Sequence, residues 1–409
     1  MFRIGQEEIS AFTRVVQSKQ LFRIGSKNQE VDNFEKELAE KVNVKYALFV
    51  TGGTTSLIMG LAGLGIGPGD EVIVPGYTFM ASALAVTAVG AIPVIVEVDD
   101  TLTIDPEDVE RKISPHTKAI MPVDMLGFPC DMDRIMEIAK KHDLKVIEDA
   151  CQAAGGSYKG KKLGSIGHAG AFSFNYFKII SCGEGGAVLT NDREVFEKAV
   201  IQHDGGSTFR NDYLAIGREE NGGAENIDYP IYDKYQTPVF AGTQCRQSEI
   251  MGAIMREQLK RLDGILGDLR KVKHQMEEEL KGTVNLAFLR SNDPGGDCAT
   301  NIGFLFDNKK LAAQFAAGEG VGGALPINSG RHVYTNWEPI MNKRGACHPA
   351  MNPYSMPANQ GLNDNYSMDM CPRTLDLLNR TVYIGINPDW SQKEIENKVQ
   401  SIKDAAKAL

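Results

Sequence analysis

The chain has 409 residues, 42% of them hydrophobic and 24% charged, with a formal net charge of −9, the balance of a soluble globular protein long enough for one large and one smaller domain. No apolar run reaches the ~20 residues a bilayer demands, the first residues carry acids where a secretory signal would carry an apolar core, and no basic footprint for nucleic acid is evident. A cytoplasmic protein that binds neither membrane nor nucleic acid is therefore expected. The seven cysteines are odd in number and form no CxxC pair, which argues against a zinc site and a disulfide framework.

Tyr46–Val50 reads as a buried strand, followed by a helix over Thr54–Leu64. The same alternation predicts strand Glu71–Pro75 and helix Thr78–Val89, strand Ile92–Val96 and helix Pro106–Lys112, strand Ala119–Val123 and helix Cys130–His142, then strand Lys145–Glu148. Continuous apolar strands between helices predict an α/β fold whose mostly parallel sheet is covered on both faces, with ligands at the carboxyl ends of the strands. His203–Gln244 is long, polar and weakly periodic, and loops of that length are functional or disordered. Ser248–Leu262 has helical periodicity and begins a smaller domain, and Trp390–Asp404 forms a second amphipathic helix. The expected division is 1–245 for the large domain and 246–409 for the small one.

The residues that carry chemistry fall in the loops. In Thr51-Gly-Gly-Thr-Thr-Ser56, glycines let backbone N–H groups converge at a helix N-terminus, and the hydroxyls of Thr54 and Thr55 add donors. That set suits a dianionic phosphate, although an N-capped turn reads equally well. Gly63–Asp70 looks like a dinucleotide fingerprint but follows a helix, so it reads as a helix end with left-handed glycines. Tyr77 and Phe79 end a strand, where an aromatic can stack on a cofactor ring or pack in the core. Asp149 closes an apolar strand and is either a cap for a helix at Ala150 or the partner of a protonated pyridinium nitrogen. Gln152 is placed to meet a ring hydroxyl. Ser173 either shares the phosphate or bonds to backbone.

Lys178 follows an apolar, aromatic strand and precedes Cys-Gly-Glu-Gly-Gly, a setting that favours an amine able to attack a carbonyl. Together these positions supply a phosphate cradle, an aromatic face, a pyridinium partner and an amine. Pyridoxal 5′-phosphate (PLP) is the cofactor that needs all four. His203, Arg331 and His332 are candidates for substrate contact, with a surface role as the alternative for each.

Three stretches, Gly-Asp-Glu-Val-Ile-Val-Pro (69–75), Glu-Asp-Ala-Cys-Gln-Ala (148–153) and Lys-x-x-x-Cys-Gly-Glu-Gly-Gly-Ala-Val-x-Thr-Asn (178–191), resemble the DegT/DnrJ/EryC1/StrS family of sugar aminotransferases. The resemblance runs from about Gly5 to the C-terminus. It implies a fold-type-I PLP-dependent transferase, with a mostly parallel sheet in a large domain and a smaller C-terminal α+β domain. It implies Lys178 as the Schiff-base lysine, Asp149 as the pyridinium partner, Gln152 at the ring hydroxyl and Phe79 as the stacking residue. Thr54, Thr55 and Ser173 become phosphate ligands. It further implies a homodimer in which an amide crosses the interface to the phosphate. Gln244 stands at that place, where asparagine is usual.

The resemblance also implies ping-pong transfer from L-glutamate to a keto sugar, through the aminated cofactor PMP. Relatives with histidine in place of Lys178 are sugar dehydratases. A dehydratase or lyase on the same fold, and a non-catalytic PLP or sugar sensor, are the rival readings. Phe22-Arg23 and the segments 156–160, 296–299 and 336–340 are similar to the branch that aminates C8 of an eight-carbon keto-deoxy sugar acid, an 8-amino-3,8-dideoxy-octulosonate transaminase.

Overall fold

The computed structural model describes residues 2–205 and 237–409. Most of the predicted His203–Gln244 loop thus lies outside the described residues. Two helices, α1 (Gln6–Ser18) and α2 (Glu30–Val42), precede β1 (Tyr46–Val50) and α3 (Gly53–Gly63). Then come β2 (Glu71–Pro75), α4 (Ala81–Ala88), β3 (Ile92–Val96), α5 (Pro106–Lys112), β4 (Thr117–Ile120), α6 (Met132–His142) and β5 (Lys145–Asp149). A short hairpin, β6 (Ser157–Tyr158) and β7 (Lys161–Lys162), leads to β8 (Ala169–Ser173), β9 (Gly186–Thr190) and α7 (Arg193–His203). The remainder comprises α8 (Glu249–Leu280), β10 (Asn301–Leu305), α9 (Lys309–Ala316), α10 (Glu338–Met341), α11 (Pro372–Arg380), β11 (Thr381–Gly385) and α12 (Gln392–Lys407). None of the described helices is long and apolar enough to cross a membrane.

Among the described residues the main sheet has seven strands in the order β1-β9-β8-β5-β4-β2-β3. Its five central and edge strands β8, β5, β4, β2 and β3 run parallel, and β9 is antiparallel to both its neighbours. Every residue of β2, β3, β8 and β9 is buried, which is why these strands read as unbroken apolar runs rather than alternating ones. β10 and β11 form a separate antiparallel pair packed with α9 and α12.

Element boundaries move where local chemistry intervenes. The helix expected from Thr78 starts at Ala81, because residues 76–80 are held in an extended bridge to residues 331–334. Asp131 caps α6 by accepting from Arg134 N, so that helix begins two residues later than expected. β4 ends at Ile120, before Pro122. α8 runs on from Leu262 to Leu280. Its interior Gly264 and Gly267 face open space, and packing of its buried stripe sustains the helix past them.

Residues 333–371 leave the small sheet and strap the β3 edge of the large one. Tyr334 and Trp337 are fully buried beside Val74 and Ile95. Asn359 accepts from Gly69 N (2.6 Å) and donates to Gly90 O (2.8 Å), and Tyr366 donates to Pro93 O (2.7 Å). The strap thereby covers an edge that would otherwise offer unpaired backbone groups.

Arg23 anchors the other end of the sheet. It is 3% exposed and donates to Asp32 (2.6 Å) and to both oxygens of Glu35 (3.1 and 2.9 Å). Glu35 also accepts from Phe49 N on β1 (2.6 Å). Burial works against the guanidinium charge, but Glu35 and Asp32 outweigh it and hold its pKa above the ordinary value. Arg23→Ala would remove the buried cation that faces Asp32 and Glu35 and should cost about 3–5 kcal/mol. Denaturant titration measures this, and a loss under about 1 kcal/mol would show that the cluster does not hold the α1–α2 connection to β1.

Candidate active site

The carboxyl ends of the parallel strands, together with the first turn of α3, converge on one region. Gly52 is the N-cap of α3 and no side chain caps the helix. Ser56 instead donates to Gly52 O (3.0 Å) and Phe172 O (3.0 Å). The capping alternative for this loop is therefore not realised, and the first-turn N–H groups of Gly53, Thr54 and Thr55 remain spare donors at the positive end of a helix. A Cβ on Gly53 would lie 2.7 Å from Ser173 Cβ. Glycine lets the helix end approach β8 closely enough to bring Ser173 beside Thr54 and Thr55.

Asp149 ends β5 and no helix follows it, which removes its reading as a helix cap. It is 6% exposed. Ser82 Oγ donates to its Oδ2 (2.7 Å) and Cys151 N to its Oδ1 (3.2 Å), and Ser82 in turn meets Thr78 Oγ1 (2.8 Å). The carboxylate is thus oriented by two donors and retains acceptor capacity towards a cationic group. Gln152 accepts from Leu126 N (3.2 Å), which fixes its side chain against the loop after β4. Lys178 lies in the β8–β9 connection. It is half-buried rather than sealed in an apolar pocket, with Tyr176 and Phe177 exposed beside it. Its Nζ makes no hydrogen bond to a described residue.

Two adjoining cavities meet at this lysine. One, of about 240 Å³, is lined by Gly52, Gly53, Thr54, Thr55, Phe79, Asp149, Gln152, Ser173, Lys178 and Glu184. The other, of about 510 Å³, is lined by Phe79, Leu126, Gln152, Asn175, Phe177, Lys178, Ile179, Thr300, Asn301 and His332. The smaller cavity has spare N–H donors and hydroxyls at one end and a buried, oriented carboxylate on its wall. That donor set fits a phosphate joined to a protonated heteroaromatic ring. Phe79, 40% exposed, offers that ring a face, and Lys178 stands where both cavities can reach it.

Of the three substrate candidates, His332 lines the larger of these two cavities, and His203 and Arg331 line neither. His203 is fully buried at the end of α7, as a core residue is. Arg331 is exposed, and its carbonyl, rather than its side chain, serves the site by accepting from Met80 N (2.9 Å). Gln244 is exposed and lines neither cavity of its own chain.

The structure adds groups that sequence reasoning left out. Ser82 gives no signal in the sequence, because only the strand order brings α4 against β5. Asn175, Glu184, Thr300 and Asn301 also line the cavities. Glu148 is fully buried and accepts from Gly164, Ile166 and Gly167 N (2.9, 2.6 and 2.6 Å). Burial drives its pKa up and these N–H groups pull it back, leaving it at about 7. Asp124 follows an apolar strand, the same signal that singled out Asp149. It is 1% exposed, accepts from Cys130 N (3.0 Å), and its Oδ2 has no hydrogen-bond partner among the described residues. Burial first, then the charge of Glu148, pushes its pKa well above the ordinary carboxylate value.

The chain matches the sequence profile of the DegT/DnrJ/EryC1/StrS aminotransferase family over residues 3–301. It is 40% identical to GDP-perosamine synthase of Caulobacter vibrioides over 258 residues, which are 63% of this chain and 63% of that protein. It is 40% identical to dTDP-3-amino-3,4,6-trideoxy-alpha-D-glucose transaminase of Streptomyces venezuelae over 57% of this chain and 56% of that protein. The match therefore spans less than two thirds of either relative's length. The solved structure of S. venezuelae DesV, in complex with a ketimine intermediate, superposes with a TM-score of 0.75 at 28% identity, covering 98% of this chain and 95% of that one. The architecture is accordingly that of the fold-type-I PLP-dependent aminotransferases, with helices on a mostly parallel central sheet.

Asp124 yields a pH test. Its folded-state pKa lies above the value of about 3.9 in an unfolded chain, so it supports the fold most at low pH and less as pH rises through the folded pKa. Asp124→Asn removes this dependence. The variant should melt higher than the parent, with the gap opening above about pH 4. Thermal unfolding between pH 4 and 8 reads this, and a variant that melts lower throughout would mean that Asp124 is ionised and paired.

Proposed function

The chain belongs to the DegT/DnrJ/EryC1/StrS aminotransferase family, and on that premise we propose that it is a PLP-dependent aminotransferase carrying an amino group from L-glutamate to a keto sugar. The observation that carries this reading is the position of Lys178, shared between a cavity fitted to phosphate and pyridinium and a larger cavity of substrate size. Gly53, Thr54, Thr55 and Ser173 hold the phosphate. Asp149, oriented by Ser82 and Cys151 N, keeps a proton on the ring nitrogen. Phe79 covers the ring and Gln152 meets its hydroxyl. When bound, PLP supplies an electron sink that makes the proton on the donor's α-carbon acidic.

The chain's own groups do the rest. Lys178 Nζ would tether the cofactor, and its amine would be free for proton transfer once the donor is bound. The freed amine then takes the proton from the donor's α-carbon and passes it on within the cavity. In the second half-reaction the same amine works in reverse and delivers a proton to the carbon that carried the sugar's carbonyl. A histidine at position 178 could move protons but could not tether the cofactor, so lysine favours transamination over dehydration. Segments 22–23, 156–160, 296–299 and 336–340 support an eight-carbon keto-deoxy sugar acid as the acceptor, whereas the named relatives support nucleotide-linked sugars.

The active unit is proposed to be a homodimer. Tyr176 (64% exposed) and Phe177 (79%) lie on the lysine loop, and Ile9, Phe12 and Val16 form an exposed apolar stripe on α1. Apolar area of this kind suits a second copy. That copy would bring its own Gln244 to the phosphate, in keeping with an amide that is exposed and lines neither of the two cavities of its own chain.

Borohydride reduction of the PLP-loaded protein, followed by peptide mapping, should place the cofactor on the peptide that contains Lys178. An adduct on any other lysine overturns the assignment. Lys178→Ala should still take up the cofactor, by absorbance, while formation of 2-oxoglutarate from glutamate falls by at least about 10²-fold. Turnover at the parental rate would refute the reading.

A further inference from the structure

We infer that His332 is a specificity-determining residue of the acceptor site, whose Nε2 accepts a hydrogen bond from a hydroxyl on the keto sugar beside the carbon to be aminated. The site would thus take an uncharged, hydroxylated stretch of carbon chain at that point. This rests on the aminotransferase reading above and names the chemistry its acceptor must offer.

The first argument is orientation. His332 Nδ1 lies 3.1 Å from Ser329 O. A carbonyl oxygen only accepts, so Nδ1 carries the ring proton and Nε2 is left with its lone pair. Nε2 has no hydrogen-bond partner among the described residues, and the ring lines the same cavity as Lys178. Burial lowers the pKa of this ring, the Ser329 carbonyl offsets part of that, and the Lys178 charge lowers it further. A neutral imidazole held by its other nitrogen is an acceptor, and it reads a hydroxyl rather than a carboxylate.

The second argument is rigidity. His332 O accepts from Thr78 N (2.9 Å), Arg331 O accepts from Met80 N (2.9 Å), and Tyr334 N donates to Gly76 O (3.0 Å). Arg331 O also accepts from Trp337 Nε1 (2.9 Å), and the Trp337 side chain is fully buried. The imidazole therefore sits on a backbone ladder and against Phe79, with ring centroids 5.3 Å apart. Selectivity from one hydrogen bond requires such a fixed partner.

The third argument is the company it keeps. Besides Lys178 and His332, the polar groups lining the cavity are Gln152, Asn175, Thr300 and Asn301. All four are neutral, and neither a carboxylate nor an arginine lines it among the described residues. Neutral amides and a hydroxyl match a polyol.

The test is calorimetric binding of two probes to the PLP-loaded protein, without an amino donor. One probe is a nucleoside-diphosphate-linked 4-keto-6-deoxyhexose that bears a hydroxyl beside the carbonyl, and the other is its analogue lacking that hydroxyl. The parent should bind the hydroxylated sugar about tenfold more tightly, the weight of one hydrogen bond. His332→Phe should bind both equally, and His332→Gln, whose amide oxygen can accept, should keep part of the preference. Cofactor absorbance verifies that each variant is folded and loaded.

Retention of the full preference by His332→Phe overturns the inference. So does a parent that binds neither sugar or does not distinguish them. If the parent shows the preference and His332→Phe loses it, but no amine is transferred once glutamate is added, the aminotransferase reading fails while the assignment of His332 stands.

Discussion

The site depends on two places where a Cβ would not fit. A Cβ on Gly53 would stand 2.7 Å from Ser173 Cβ, and one on Gly186 would stand 2.4 Å from Gly52 O and Ser56 Oγ. Hydrogen at these positions lets the N-terminus of α3 press against the ends of β8 and β9. The end of the cavity lined by Thr54, Thr55 and Ser173 exists only because of that approach, since it puts helix N–H donors and a strand serine around one point. Everything further along the cavity is measured from there. Asp149 lies on β5, next to β8, and the lysine loop leaves from β8 itself.

Much of this was legible in the chain. Fully buried parallel strands read as continuous apolar runs, so the order and type of the elements from Tyr46 to Asp149 could be read, while several of their ends moved. Motifs at strand ends fall at the sheet's carboxyl edge by topology alone, which is why Thr54, Asp149, Gln152, Ser173 and Lys178 meet. The capping alternatives for the 51–56 loop and for Asp149 are removed by local geometry that no sequence displays. Asp149 caps nothing because residues 150–156 form turns, and Ser56 turns its hydroxyl to carbonyls rather than to the helix end.

What stayed hidden depended on strand order and on burial. Ser82 reaches Asp149 only because α4 packs across the sheet, and its spacing in the chain carries no trace of that. Asp124 and Glu148 are carboxyl groups enclosed by the fold. Their raised pKa values follow first from desolvation, which composition does not report. His203 looked like a polar residue free to touch a substrate, yet it is enclosed at the end of α7. α8 was read only as far as Leu262, whereas tertiary packing carries the helix on to Leu280. The strap over residues 333–371 consists largely of short turns, which leave no periodic signature.

That strap has a consequence for how such a protein can change. The shared family pattern ends at residue 301, while the wall that carries His332 and leans on Phe79 begins about thirty residues later. The residues that line the smaller cavity and the wall that carries His332 are thus written in separate stretches of chain, joined by a few backbone hydrogen bonds. A change in the backbone around residue 332 would therefore reshape one wall of the larger cavity. The stretches that carry Thr54, Asp149 and Lys178 need not change with it.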